Sequence, residues 1–262
     1  MIDNESYVGA YAQCISHKNA SPLTYKGTNS WILAAPGSKQ ALVIDPGPPD
    51  DACVQHLERA CATRGLSVAA IVLTHDHYDH AGSALRAAQV FGAPILSFGL
   101  GTLEPGQLYL EGITMPLVVL ALPGHSSDSL ALVVPDAHLA FTGDMLFAQS
   151  STMICWPDGR LQDYMESLDT LAQAVQTYEV KALLTGHGPV IQNPVERIEQ
   201  ARRHRQQRLN QLISAVRSGI PAEASALVEA TYNDIAPELR NYAERSVKAQ
   251  LQYAFEQGLL KK

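Results

Sequence analysis

Residues 74–82 read THDHYDHAG, which places three histidines and two aspartates in nine positions. Such crowding suits either a solvated polar loop or the floor of a metal site, and one loop alone cannot close a coordination shell. The run before it, VAAIVLT (68–74), is short and apolar and suits a buried strand that delivers the loop. His75 and His77, two apart in extended chain, can point to the same side. The chain must then turn into a helix, which redirects Asp79 and His80 towards a neighbouring point.

The same pattern recurs three times. PLVVLALPG (116–124) leads into His125, HLAFTG (138–143) into Asp144, and VKALLTG (180–186) into His187. Convergent sites are commonly built from loops at strand ends on a rigid sheet. A lone His125 or His187 in such a place is ordinarily a hydrogen-bonded structural histidine, and a lone Asp144 caps a turn equally well. Arriving together by four routes, His75, His77, Asp79, His80, His125, Asp144 and His187 point to metal binding. Imidazole with carboxylate suits zinc, and also iron or manganese. A carboxylate can bridge two cations, the natural role for Asp144.

Strands and helices alternate through the rest of the first three quarters. TNSWILAA (28–35) and QALVIDPG (40–47) read as neighbouring strands joined at PGSK, and SLALVVP (129–135) as a further strand. Helices are expected over 50–64, 82–91 and 161–178. From Pro194 the strand signals vanish, so the expected units are 1–193 and a helical 194–262. Charge divides at the same place. Residues 1–193 hold 8 basic and 18 acidic residues, and 194–262 hold 11 and 8, or +3. That surplus is too small to establish nucleic-acid binding.

The net charge of −7, 46% hydrophobic and 17% charged residues are those of an ordinary globular protein. No apolar stretch approaches the roughly 20 residues that span a bilayer. The start, MIDNESYVGAYAQC, has no basic or apolar signal region, so a cytoplasmic location is expected. Cys14, Cys53, Cys61 and Cys155 form no metal-binding spacing and read as small apolar thiols.

THDHYDHAG, followed in order by PGH, TGD and GHG, resembles the metallo-β-lactamase superfamily over essentially the whole chain. The resemblance implies an α+β four-layer αβ/βα sandwich. It implies that His75, His77 and His125 hold one divalent metal, that Asp79, His80 and His187 hold a second, and that Asp144 bridges them. It also implies that Asp45, in VIDPG, supports the ligands from behind. SPLTYKGTNSWIL near the start, with HRQQRLNQL and AERSVKAQLQYAFEQGLL near the end, resembles lactamase-like hydrolases that carry a C-terminal winged-helix extension. That group includes a single-strand endoribonuclease.

The implied reaction is hydrolysis by a water shared between two cations, most simply Zn2+, with Mn2+ or Fe2+ as alternatives. Asp79 is the candidate to orient that water or shuttle a proton. The expected substrate is single-stranded RNA or a small ester or thioester, and a homodimer is kept among the expected assemblies. Tyr78 is expected to line the pocket. His204 and Arg208 share a helical face, so with Arg205 they are candidates to grip an anionic substrate group. The alternatives are a glyoxalase-II-like thioesterase, a lactonase, a mononuclear-iron persulfide dioxygenase and a non-catalytic nucleic-acid-binding module. A β-lactam resistance role is the weakest of the hydrolase readings.

Overall fold

The computed structural model describes residues 5–232 and 236–261. Two sheets lie face to face. The first has β1 (Glu5–Val8), β2 (Ala12–Ser16), β3 (Asn29–Leu33), β4 (Gln40–Ile44), β5 (Ser67–Val72) and β6 (Ile95–Leu96) in sequence order. The second runs β11-β10-β9-β8-β7, with β7 at Gly106–Leu108, β8 at Leu117–Ala121, β9 at Leu130–Val134, β10 at Leu139–Gly143 and β11 at Ala182–Thr185.

Parallel neighbours need a long crossover, and the sequence places a helix in each. Between β4 and β5 runs α1 (Asp51–Thr63), whose first turn is capped by the Asp50 carboxylate accepting from Ala52 N at 2.9 Å. The helix expected over 82–91 is α3 (Ala84–Phe91), and a separate short helix, α2 (Tyr78–Ala81), precedes it. Between β10 and β11 runs α4 (Leu161–Thr177). The remaining helices are α5 (Pro194–Arg217), α6 (Ala224–Thr231) and α7 (Arg240–Glu256).

Period-2 alternation sends each strand's apolar residues to two faces. Leu42, Ile44, Ala70 and Val72 meet Leu130, Leu132, Val134 and Phe141 between the sheets. Ala41, Val43 and Ile71 turn outwards under Val54, Leu57 and Ala87 of α1 and α3. On the other side Ala131, Val133 and Leu183 lie beneath Leu168, Leu171 and Val175 of α4 and Ile198 and Ala201 of α5. The layers are therefore helix, sheet, sheet, helix, the α+β four-layer sandwich expected. With both faces covered, the central strands read as continuous apolar runs.

The C-terminal helices form a further core around Leu209, Leu212, Leu227, Val247 and Ala254. Helix α5 joins both cores: Ile198 and Ala201 pack on the second sheet's helical layer, while Leu209 and Leu212 pack against α6 and α7. From residue 194 on, the described residues carry helices, and no wing strand is among them. No helix among the described residues is long and apolar enough to cross a membrane. Cys14, Cys53 and Cys61 are buried free thiols, and Cys155 is half-buried.

Phe141 is fully buried and meets Trp31 edge-on, with ring centroids 5.8 Å apart across the two sheets. Truncation there leaves a void between rigid layers. Phe141→Ala is expected to cost about 3–5 kcal/mol of stability in urea unfolding. Leu85→Ala, at an exposed position, should stay within about 0.5 kcal/mol of the parent.

Candidate metal centre

The sheets meet at one edge, where strand ends from both are tied together. Leu130 N donates to Thr74 O at 2.8 Å, Gly186 N to Gly143 O at 2.8 Å, and Asn29 N to Gly186 O at 2.8 Å. Into this junction β5 delivers His75 and the loop carrying His77, and α2 delivers Asp79 and His80. The loops after β8, β10 and β11 bring His125, Asp144 and His187.

The donors fall into two groups whose ligating atoms lie within 4.8 Å of one another, His75, His77 and His125 in one and Asp79, His80 and His187 in the other. Asp144 touches both: its oxygens lie 3.7 Å from His125 Nε2, 3.3 Å from His80 Nε2 and 3.4 Å from His187 Nε2. Asp45, His75 and His80 also satisfy the 4.8 Å spacing. The Asp45 oxygens, however, already accept from Thr74 N at 2.7 Å, Thr74 Oγ1 at 2.6 Å and His80 Nδ1 at 2.9 Å. Asp45 therefore braces the site from behind.

Tautomers decide what these rings offer. His125 Nδ1 donates to Met153 O at 2.7 Å, and His187 Nδ1 to Gly27 O at 3.1 Å. His80 Nδ1 donates to Asp45. The Thr74 hydroxyl proton is committed to Asp45, so His75 Nδ1, 3.0 Å away, donates to Thr74 Oγ1. Each ring then presents an Nε2 lone pair to the junction. His75 Nε2 is buried with no hydrogen-bond partner, and so is Asp144 Oδ1. Buried lone pairs without donors are costly unless a cation satisfies them. Imidazoles oriented by a hydrogen bond at the far nitrogen are the usual support of metal ligands. The donor set fits divalent metal.

The electrostatics agree. Burial, with His80 beside it, drives His75 well below its ordinary pKa, and burial takes His125 down to about 4 despite Asp144. His187 goes the other way: burial opposes protonation, but the Asp144 and Asp79 carboxylates raise it to about 9. Burial disfavours charge on Asp79 too, yet the His187 hydrogen bond and the neighbouring His80 hold it down at about 2. Positive charge is wanted where Asp79 and Asp144 face His80 and His187.

These donors open into a cavity of about 440 Å³. Leu23, Phe147, Met153 and Tyr78 line it, with Tyr242 and Arg245 of α7. Tyr78, 74% exposed, lines the cavity. His204, Arg205 and Arg208 do not line it, a correction to the anion-gripping role expected of them. His204 Nδ1 pairs with Ser151 Oγ at 2.9 Å, Arg205 donates to Thr152 O, and Arg208 stacks 3.9 Å from the Tyr232 ring centroid. They fasten α5 to the 151–152 loop and to the end of α6.

The family model described as Metallo-beta-lactamase superfamily matches residues 23–119 and 103–187. The chain belongs to the metallo-β-lactamase superfamily. It is a metal-dependent hydrolase of that superfamily. A "Beta-lactamase-like protein 2 homolog" of Caenorhabditis elegans is 26% identical over 270 residues, 98% of this chain and 88% of that protein. An "Atrochrysone carboxyl ACP thioesterase" of Aspergillus fumigatus is 26% identical over 76% of this chain, which spans 63% of that enzyme. Among solved structures, a metallo-beta-lactamase family protein from Thermus thermophilus superposes with a TM-score of 0.77 at 24% identity, covering 95% of this chain and 94% of that one.

Sequence reasoning did not single out Thr74 and Gly27, whose hydrogen bonds fix ligand tautomers, or Arg245 and Tyr242. Thr74 stands inside the opening motif, so its place was legible; the other three carry no spacing that marks them. Gly186 is a further such residue. A methyl group there would overlap Asp144 Oδ1 and His80 Cε1, so glycine suits this close approach. Gly186→Ala is expected to lower the metal content of metal-loaded protein, read by elemental analysis, at unchanged far-UV circular dichroism. Full metal content in the variant would show that the site tolerates the methyl group.

Proposed function

We propose that the chain hydrolyses a small carboxylic ester or thioester at a dinuclear site. His75, His77 and His125 hold one cation, Asp79, His80 and His187 the other, and Asp144 contributes to both. Zn2+ is the simplest occupant, with Mn2+ or Fe2+ as alternatives. The observation that carries the substrate choice is the cavity wall. It is largely apolar, holds about 440 Å³ and has one permanent cation, Arg245, among its described residues. That volume and lining suit a small organic molecule. A polyanionic strand needs several Lys and Arg contacts along its phosphates, and the 1–193 segment is strongly acidic. The thioesterase named among the relatives supports the same choice.

Bound divalent cations would supply an acidified water and polarise the bond to be cut. The protein's own contribution is placement and protonation. The Asp79 carboxylate, held ionised beside His187, lines the cavity and accepts from the buried Thr28 hydroxyl at 3.4 Å, a place from which it can accept and return a proton. Leu23, Phe147 and Tyr78 seat the apolar part of the substrate against it.

Two experiments test this. Metal-loaded protein should hold about two cations per chain by elemental analysis, and chelation should abolish activity. A panel of p-nitrophenyl esters, S-lactoylglutathione, a lactone, bis-p-nitrophenyl phosphate, single-stranded RNA and nitrocefin should show turnover of the esters or thioester. Asp79→Ala should lose roughly 10²- to 10⁴-fold in kcat/KM on them. RNA cleavage that outpaces ester cleavage and is lost in Asp79→Ala would overturn the substrate choice. A single iron with oxygen consumption would replace the hydrolase by a persulfide dioxygenase.

A further inference from the structure

The hydrolytic donors leave Arg245 unexplained. It comes from α7, at the far end of the chain, yet it lines the same cavity as His77, Asp79 and His125. Tyr242, three residues earlier and on the same helical face, lines it too. Arg245 is partly buried in a wall it shares with Leu23, Phe147 and Met153, a setting in which a polar partner is favoured. Its backbone and its Nε are fixed: Trp156 N donates to Arg245 O at 3.3 Å, and Arg245 Nε donates to Trp156 O at 3.1 Å.

Nearby arginines are neutralised or used up. Arg160 pairs with Asp163 and Glu256, Arg240 with Glu229 and Glu244, and Arg205 donates to Thr152 O. Among the described residues Arg245 has no carboxylate within ion-pair distance. One of its five N–H groups is spent on Trp156, and the two terminal nitrogens retain the planar fork that matches an anionic group. Asp158 also lines the cavity, with Oδ1 accepting from Ser127 N at 3.2 Å, so apart from the metal donors the wall carries one negative charge as well as one positive. That balance suits a singly charged carboxylate better than a doubly charged phosphate.

We infer that Arg245, with Tyr242 beside it, binds a carboxylate carried by the substrate away from the bond that is cut. The preferred substrates are then esters or thioesters of dicarboxylic type, or with an acidic leaving group. This rests on the reading of the cavity as an ester- or thioester-hydrolysing site.

The test is a matched series: mono-p-nitrophenyl glutarate, neutral p-nitrophenyl hexanoate, and the p-nitrophenyl ester of 4-phosphonobutyrate. It is read as ratios of kcat/KM in metal-loaded wild type, Arg245→Met and Arg245→Lys. Wild type should favour the glutarate ester over the hexanoate. Arg245→Met should lower that ratio roughly 10- to 100-fold, the effect of removing a charged hydrogen-bond partner, and Arg245→Lys should fall between. The Kd for glutarate, measured by calorimetry, should weaken by a similar factor in Arg245→Met. Equal losses on both esters would overturn the inference and leave Arg245 as a tether for Trp156. An Arg245-dependent preference for the phosphonate would overturn the choice of carboxylate. If wild type cleaves none of the three, the hydrolase reading fails, and glutarate binding alone decides recognition: a Kd insensitive to Arg245 overturns it. Should Arg245→Met fail to fold, Arg245→Lys carries the comparison, because it keeps the charge and loses the fork.

Discussion

The buried carboxylate of Asp45 is the interaction on which the site depends. At 1% exposure it accepts from the Thr74 amide, the Thr74 hydroxyl and His80 Nδ1. One side chain thereby ties the end of β4 to the end of β5 and to α2. Its backbone sits at φ 51°, a left-handed conformation that a non-glycine residue adopts at a cost. Desolvating a carboxylate costs several kcal/mol unless its lone pairs are met. Three donors meet them here, and in doing so set the tautomers of His80 and, through Thr74, of His75.

The same logic extends around the junction. Met153 O and Gly27 O do for His125 and His187 what Asp45 does for His80. The ligands are oriented from four directions by groups that belong to different layers of the sandwich. A site assembled this way is as rigid as the contact between its sheets. That explains why close-packed residues such as Gly186 constrain it as much as the donors themselves. The cavity beyond is built on the opposite plan, from loops and from one helix of the extension.

Much of this was legible in the sequence because strand ends followed by His or Asp are local signals. THDHYDHAG, PGH, TGD and GHG each sit where a buried apolar run stops, and the helices α1 and α4 follow from periodicity. What escaped has physical reasons. The edge strands β1, β6 and β7 run only two to four residues, too short for a period-2 pattern to register, and β2 inside them runs five. The break between α2 and α3 follows from packing: Gly82 abuts Pro49 and the Tyr78 carbonyl. His204, Arg205 and Arg208 were marked by helical spacing, which reports a shared face but not what that face meets. Arg245 carries no local mark at all; its place follows from how α7 docks on the loop around Trp156.

Helix α5, continuous over 24 residues, is rooted by Ile198 and Ala201 in the layer above the second sheet and by Leu209 and Leu212 in the C-terminal core. At about 1.5 Å per residue it is a beam roughly 36 Å long. A small tilt at its root beside α4 would be carried along it to its tip, where α6 and α7 pack. Substitutions far from any ligand could then retune which molecules are accepted while the donor cluster stays intact. Variation in α5 packing would then be a route to new specificity that leaves the chemistry untouched.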